Sequence, residues 1–143
     1  MLYSKTAKYA VLALAEVALC PQGEPVSTKQ VAVASSVPYP LLAKIVGQLR
    51  RAGLVGSTRG KLGGILLTRP ASEITIQEVV IALDGPEVMN DCPLFLEPCS
   101  CDRECTMHSL WKPARDAVVK FFEGTTIQEI ADARLEAKEL CKH

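Results

Sequence analysis

A chain of 143 residues, 48% of them hydrophobic, is long enough for one compact core and too short for two ordinary domains. Basic and acidic residues balance at 16 each, which taken alone argues against a polyanionic partner, because phosphate binding depends on cationic side chains. The distribution reverses that argument. Residues 1–70 hold nine Lys/Arg against two acids, Glu16 and Glu24, so they carry +7, and residues 71–143 hold seven basic against fourteen acidic residues, so they carry −7.

Lys5 and Lys8 precede an apolar run from Tyr9 to Cys20 that has the look of a secretory segment, but Glu16 interrupts it. The run is also too short to span a bilayer, so the expectation is a cytoplasmic protein with no membrane partner. Six cysteines in a reducing compartment serve metal or redox chemistry better than structural disulfides.

In chain order, Ser4 to Leu19 reads as an amphipathic helix, with Ala7, Ala10, Val11, Leu14, Ala15 and Ala18 at three- and four-residue steps. Pro21 and Gly23 end it. Ser27 and Gln30 form a capping-box pattern that opens a helix of about two turns, stopping at Ala34-Ser35-Ser36. Pro38 and Pro40 bracket Tyr39, and a third helix starts near Pro40 and closes at Gly53. Its apolar stripe is Leu42, Ile45, Val46 and Leu49. The opposite face, Pro40, Ala43, Lys44 and Gly47, is small or cationic, bare enough for a close approach to another surface such as a DNA major groove.

Leu54 to Thr58 and Ile65 to Thr68 are strand-like runs around the tip Arg59-Gly60-Lys61-Leu62-Gly63-Gly64, a pattern that predicts a hairpin wing. Glycines 60, 63 and 64 permit positive φ and let the tip carry Arg59 and Lys61 outward. Arginine suits the enhanced negative potential of a narrow minor groove. Lys44, Arg59 and Lys61 are therefore candidates for groove contacts. Ser27, Thr28, Gln48, Arg50 and Arg51 are candidates for phosphate, and Tyr39, Pro40, Ala43 and Gly60 line the same face. Arg50 and Arg51 equally suit a solvated helix end.

Thr75 and Glu78 announce a fourth helix that ends at Gly85. Residues 86–106 show no period and contain four of the cysteines. A fifth helix, Met107 to Glu123, carries Leu110, Trp111, Ala114, Ala117, Val118, Phe121 and Phe122, more apolar bulk than a small bundle needs, which points to a homodimer interface or a large intrachain core. Thr126 and Glu129 cap a sixth helix that runs toward Leu140. The expected fold is mainly α with a small β-hairpin wing: a winged helix-turn-helix region over 1–85, a cysteine-rich loop over 86–106, and a dimerisation helix with a C-terminal helix over 107–143.

Cys92, Cys99, Cys101, Cys105 and His108 place four thiols and an imidazole within seventeen residues, a soft ligand set that can wrap an ion or cluster. Structural zinc usually takes two close cysteine pairs, and only Cys99, Cys101 and Cys105 are close here, so an iron-sulfur cluster fits the spacing better than zinc, which stays as the alternative. Cys20 and Cys141 stand alone and His143 is terminal; none of the three reads as a ligand. A thiol oxidoreductase built on Cys99 and Cys101 would need a substrate pocket and a general base, for which His108 is the one internal candidate, and the sequence shows no such constellation, so the expectation is not an enzyme.

Tyr9-Ala10-Val11, the stretch Leu49-Arg50-Arg51-Ala52-Gly53-Leu54-Val55 leading to Arg59-Gly60-Lys61-Leu62-Gly63-Gly64, Cys105-Thr106-Met107-His108-Ser109-Leu110-Trp111 and Thr126-Ile127-Gln128-Glu129-Ile130 together resemble the Rrf-two type winged-helix transcription regulators, the IscR-, NsrR- and RirA-like proteins. The resemblance spans nearly the whole chain. It implies a dimer that binds a pseudo-palindromic operator in double-stranded DNA through helix three and the wing, with affinity controlled by an iron-sulfur cluster, [2Fe-2S] or [4Fe-4S]. It also implies ligation by Cys92, Cys99 and Cys105, with His108 as fourth ligand, for which the extra thiol Cys101 competes. Thiol oxidation is a further route to the same control. The sequence departs from the pattern in three places. Six residues separate Cys92 from Cys99 where relatives have five or seven, Lys8 stands at a position of an NsrR-type aspartate ligand, and Ala43 replaces an operator-discriminating glutamate.

Overall fold

A computed structural model describes residues 3–60, 64–94 and 105–140. Helix α1 (Lys5–Ala18) is capped by Ser4, whose hydroxyl accepts the Ala7 N–H. The predicted stripe is buried as far as Ala15, with Ala18 half-buried, and Ala13, Glu16 and Val17 are buried too, so α1 is enclosed on nearly every side. Its alanines leave room for neighbours on several faces at once.

Helix α2 (Thr28–Ser35) starts one residue after Ser27, but the capping box with Gln30 does not form: Ser27 makes no side-chain cap bond. The backbone at Ser27 differs from that of Thr75, which does cap its helix. Val26 exchanges two 2.8 Å hydrogen bonds with Ile65, which delivers Ser27 to the helix at φ −55°, ψ 131°. The turn to α3 (Tyr39–Arg51) passes through Ser36 at φ 58°, where the Ser36 and Val37 amides return to Val33 and Ala32 carbonyls. Pro38 takes the cap position of α3 and Pro40 lies in its first turn. The helix ends in a Schellman motif: Gly53 has φ 77°, its amide reaches the Arg50 carbonyl, and the Leu54 amide reaches that of Leu49, both at 3.0 Å.

Strands β1 (Val55–Thr58) and β2 (Gly64–Leu67) form the expected antiparallel hairpin, with Val55 opposite Leu67 and Thr58 opposite Gly64. Gly60 adopts the positive φ foreseen for the tip, at 101°. Gly64 does not, and its role is different. A Cβ there would collide with the Val26 carbonyl and the Ser27 nitrogen, so only glycine lets β2 pair with the segment entering α2. Lys61 to Gly63 lie outside the described residues.

After a short 3₁₀ turn, Ala71–Glu73, helix α4 (Ile76–Asp84) opens with both hydrogen bonds of the Thr75–Glu78 capping box. Residues expected to lack regular structure include another 3₁₀ turn, Pro86–Asn90, too short to leave a period in sequence. Helix α5 (His108–Gly124) tolerates Pro113 in its second turn, and α6 (Ile127–Leu140) begins at the Thr126–Glu129 box. A bridge between Thr75 and Thr126 fastens the start of α6 beside that of α4, and α6 then packs on α1.

That contact accounts for Glu16, the charge inside the apolar run. Its side chain is 7% exposed, and one carboxylate oxygen accepts Arg134 Nη2 at 2.7 Å and Lys138 Nζ at 2.9 Å. Burial alone pushes the Glu16 carboxyl up. The hydrogen bonds and charges of Lys138 and Arg134 outweigh that push and hold it below the ordinary carboxylate range.

Two stability outcomes follow. Gly64→Ala is expected to cost about 1–3 kcal/mol in chemical denaturation, because backbone and not a pliable side chain meets the new methyl; unchanged stability would show that β2 can move away from Val26. Glu16→Gln is expected to cost about 2 kcal/mol near neutrality, where the ionised carboxylate holds two cations. Because the folded-state value is depressed, this contribution is present above the usual carboxylate range and is lost as pH falls through the folded value. The gap between native protein and variant should thus narrow in acid, and a gap of constant size across that range would contradict the account.

Candidate nucleic-acid interface and cysteine site

Helices α2 and α3 and strand β1 pack together, which brings most of the predicted contact residues onto connected elements. On α3, Leu42, Ile45, Val46 and Leu49 are buried, while Pro40, Ala43, Lys44, Arg50 and Arg51 are exposed. A side chain at Gly47 would meet nothing within 4 Å, so this face is as bare as its composition indicated. Tyr39 is 47% exposed at the start of α3. Ser27, Thr28 and Gln48 are half-buried, and Arg59 and Gly60 are exposed at the tip. Lys61 falls outside the described residues.

Arg50 is drawn into the scaffold. Its Nη1 donates to Ser57 Oγ at 2.9 Å, tying the end of α3 to β1. The Thr68 hydroxyl donates to the Gly53 carbonyl at 2.7 Å and the Thr68 amide to that of Leu54, so both strands are fixed to the helix terminus. Helix α3 and the hairpin are therefore joined directly to each other. An electrostatic signal available in the sequence completes the picture: no acidic residue occurs between Glu24 and Glu73, a stretch containing α2, α3 and both strands. These elements contribute no negative charge of their own, which favours binding of phosphate by counterion release.

The cysteine site lies at the other end of the chain. Cys92 and Cys105 are free, half-buried thiols. His108 is half-buried in the first turn of α5, where its amide donates to the Cys105 carbonyl at 3.1 Å. Cys99 and Cys101 lie outside the described residues, as do Cys141 and His143. Among the described residues no three His, Cys, Asp or Glu side chains gather as a set for a metal ion. The described donors, two soft thiols and an imidazole partly shielded from water, are of the chemical kind that an iron-sulfur cluster or zinc accepts. Cys20 sits apart, its thiol 3.8 Å from the Glu16 carbonyl, beside a cavity of about 180 Å³ at the end of α1.

Helix α5 is divided between two environments. Phe122 is buried and meets Tyr3 edge-on at 5.2 Å, and Trp111 and Val118 pack against the core. Leu110 is 71% and Phe121 54% exposed, and with the exposed Ala114 and Ala117 they make an outward stripe at four-, three- and four-residue steps. The broad apolar side expected from sequence is therefore two sides, one of them uncovered. No helix among the described residues is long and apolar enough to cross a membrane.

This architecture has clear counterparts. Residues 3–133 match the family profile Rrf2, described as an iron-dependent transcriptional regulator. An HTH-type transcriptional regulator of Aquifex aeolicus strain VF5 is 32% identical over 142 residues, covering 98% of this chain and 96% of that protein. The HTH-type transcriptional regulator IscR of Photorhabdus laumondii is 33% identical over 125 residues, covering 87% and 76%. Among solved structures, CymR, the global cysteine regulator of B. subtilis, superposes with a TM-score of 0.77 at 29% identity over 91% of this chain and 95% of that one. IscR of T. potens follows at 0.73 and 25%, over 94% and 88%. With a profile match over most of its length and relatives of this similarity, the chain belongs to the Rrf2 family of winged-helix transcription regulators.

Proposed function

We propose that this protein is a cytoplasmic, homodimeric regulator that reads a pseudo-palindromic operator through α3 and the wing, and whose grip on DNA is set by an iron-sulfur cluster on its cysteine loop. The observation that carries the DNA reading is the bare outer face of α3, with exposed Lys44, Arg51 and Arg59 in a stretch of sequence that has no acidic residue. Ala43 and Lys44 face base edges, Arg59 and Lys61 enter the adjoining minor groove, and Ser27, Thr28, Tyr39, Gln48 and Arg51 hold the backbone. Arg50, through Ser57, keeps the wing in register with α3.

The uncovered stripe of Leu110, Ala114, Ala117 and Phe121 supports a second copy packed along α5. Two-fold readers place their recognition helices roughly 34 Å apart, or a multiple, so an ångström-scale change in how the copies meet weakens one half-site. Cys92, Cys99 and Cys105 would hold the cluster, with His108 or Cys101 as fourth ligand. When bound, it supplies an iron- and oxidant-sensitive junction between the segment after α4 and the first turn of α5. The family's description as iron-dependent supports this choice. A second reading keeps the fold and replaces the cluster with zinc or with oxidation of the thiols themselves. It is favoured by the free Cys92 and Cys105 and by the existence of an oxidised form of Staphylococcus aureus CymR among the similar structures.

Arg59→Ala should lower operator affinity about tenfold and reduce the slope of log affinity against log salt by about 1. Unchanged affinity and slope in a filter-binding or anisotropy titration would take the wing out of the interface. Protein purified anaerobically should be coloured and contain iron and sulfide, and Cys92→Ala, Cys99→Ala and Cys105→Ala together should abolish the colour. Equal operator affinity of cluster-loaded and cluster-free protein would refute control by the cluster; zinc in place of iron would favour the second reading.

A further inference from the structure

We infer that Trp111 is a positioning residue for the cysteine site, its indole N–H setting the location of Cys92 before any metal arrives. The inference rests on the reading of Cys92 as a ligand. Trp111 Nε1 donates to the Asp91 carbonyl at 3.1 Å, a contact between residues twenty apart in sequence and one residue before the thiol. The Asp91 carboxylate in turn accepts the Cys92 amide at 3.0 Å, which orients the backbone carrying the sulfur. Trp111 is itself well anchored, with its amide bonded to the Met107 carbonyl at 2.9 Å and its ring packed on the core. The other root is held on the same helix, by the His108 amide on the Cys105 carbonyl.

Both ends of the segment from Cys92 to Cys105 are thus tied to the first two turns of α5. Bringing the ends of a chain of this length together costs conformational entropy. The two hydrogen bonds meet that cost within the fold, so a metal entering between the thiols does not. Cys92 depends on the indole more than Cys105 does, because Cys105 is nearly continuous with α5 whereas Cys92 arrives from α4 through the Pro86–Asn90 turn. Groups that orient metal ligands without touching the metal typically contribute 10–100-fold to affinity.

The test uses cadmium(II) alone, titrated anaerobically into the full-length, metal-free protein and followed by thiolate-to-cadmium charge-transfer absorption. Trp111→Phe keeps an aromatic ring in the core and removes the donor. It should weaken cadmium binding about tenfold while leaving the melting temperature and the operator affinity of metal-free protein near their native values. Native affinity in this variant would overturn the inference. Should Trp111→Phe melt early, incorporation of β-(3-benzothienyl)alanine at position 111, which has the shape of tryptophan and no N–H, decides the matter by the same criterion. If the native protein and Cys92→Ala give the same titration, the assignment of Cys92 as a ligand fails first, a result distinct from an effect absent only at Trp111.

Discussion

The packing of α1 is the constraint on which the other elements depend. Ala7, Ala10, Ala13 and Ala15 are buried around Leu14, and their small side chains allow α2, α3, α4, α6 and β2 to approach one helix together. Larger residues would separate these neighbours and divide the core. The cost of such a surrounded helix is that any charge on it must be answered, and Glu16 is answered by α6 through Arg134 and Lys138. Helix α6 is thereby bound to α1 itself, although the rest of the chain stands between them in sequence.

A chain of contacts runs from the segment before Cys92 through α1 to α2, α3 and the hairpin. The Ser4 amide, at the start of α1, donates to the Asp84 carboxylate at 2.7 Å, at the end of α4 and just before the turn that leads to Cys92. Tyr3 lies against Phe122 of α5. The beginning of α1 is therefore fastened both to the segment entering the cysteine loop and to the helix leaving it. On the opposite side, Arg50, Thr68 and the Val26–Ile65 pairing lock α2, α3 and the wing together.

Much of this was legible in the sequence, for identifiable reasons. The boxes at Thr75–Glu78 and Thr126–Glu129 formed although the two threonines bridge to each other, because that bridge uses the Ile76 and Ile127 amides and leaves those of Thr75 and Thr126 to the glutamates. The box at Ser27–Gln30 did not; Ser27 enters α2 at φ −55°, ψ 131° against −91°, 158° at Thr75, next to a pairing of Val26 with Ile65 of which local pattern carries no trace. Gly64 was noticed as a glycine but its reason was hidden for the same cause: the obstruction comes from a residue 38 positions earlier. Arg50 and Ser57 each looked like surface residues because only the folded hairpin brings them together. Glu16 looked like a break in an apolar run, and its partners lie 118 and 122 residues away. Around Cys92 and Cys105 the residue types were readable, whereas the hydrogen bonds of Trp111 to Asp91 and of His108 to Cys105 were not.

The turn between α2 and α3 closes on Ser36 in a left-handed conformation that most chains give to glycine. A side chain there costs about 1–2 kcal/mol in the folded state, yet it also removes the many backbone states that glycine would explore. The joint between the two helices is consequently stiff. Helices α2 and α3 are thereby held at one angle, and little adjustment between them is available when the pair meets another surface.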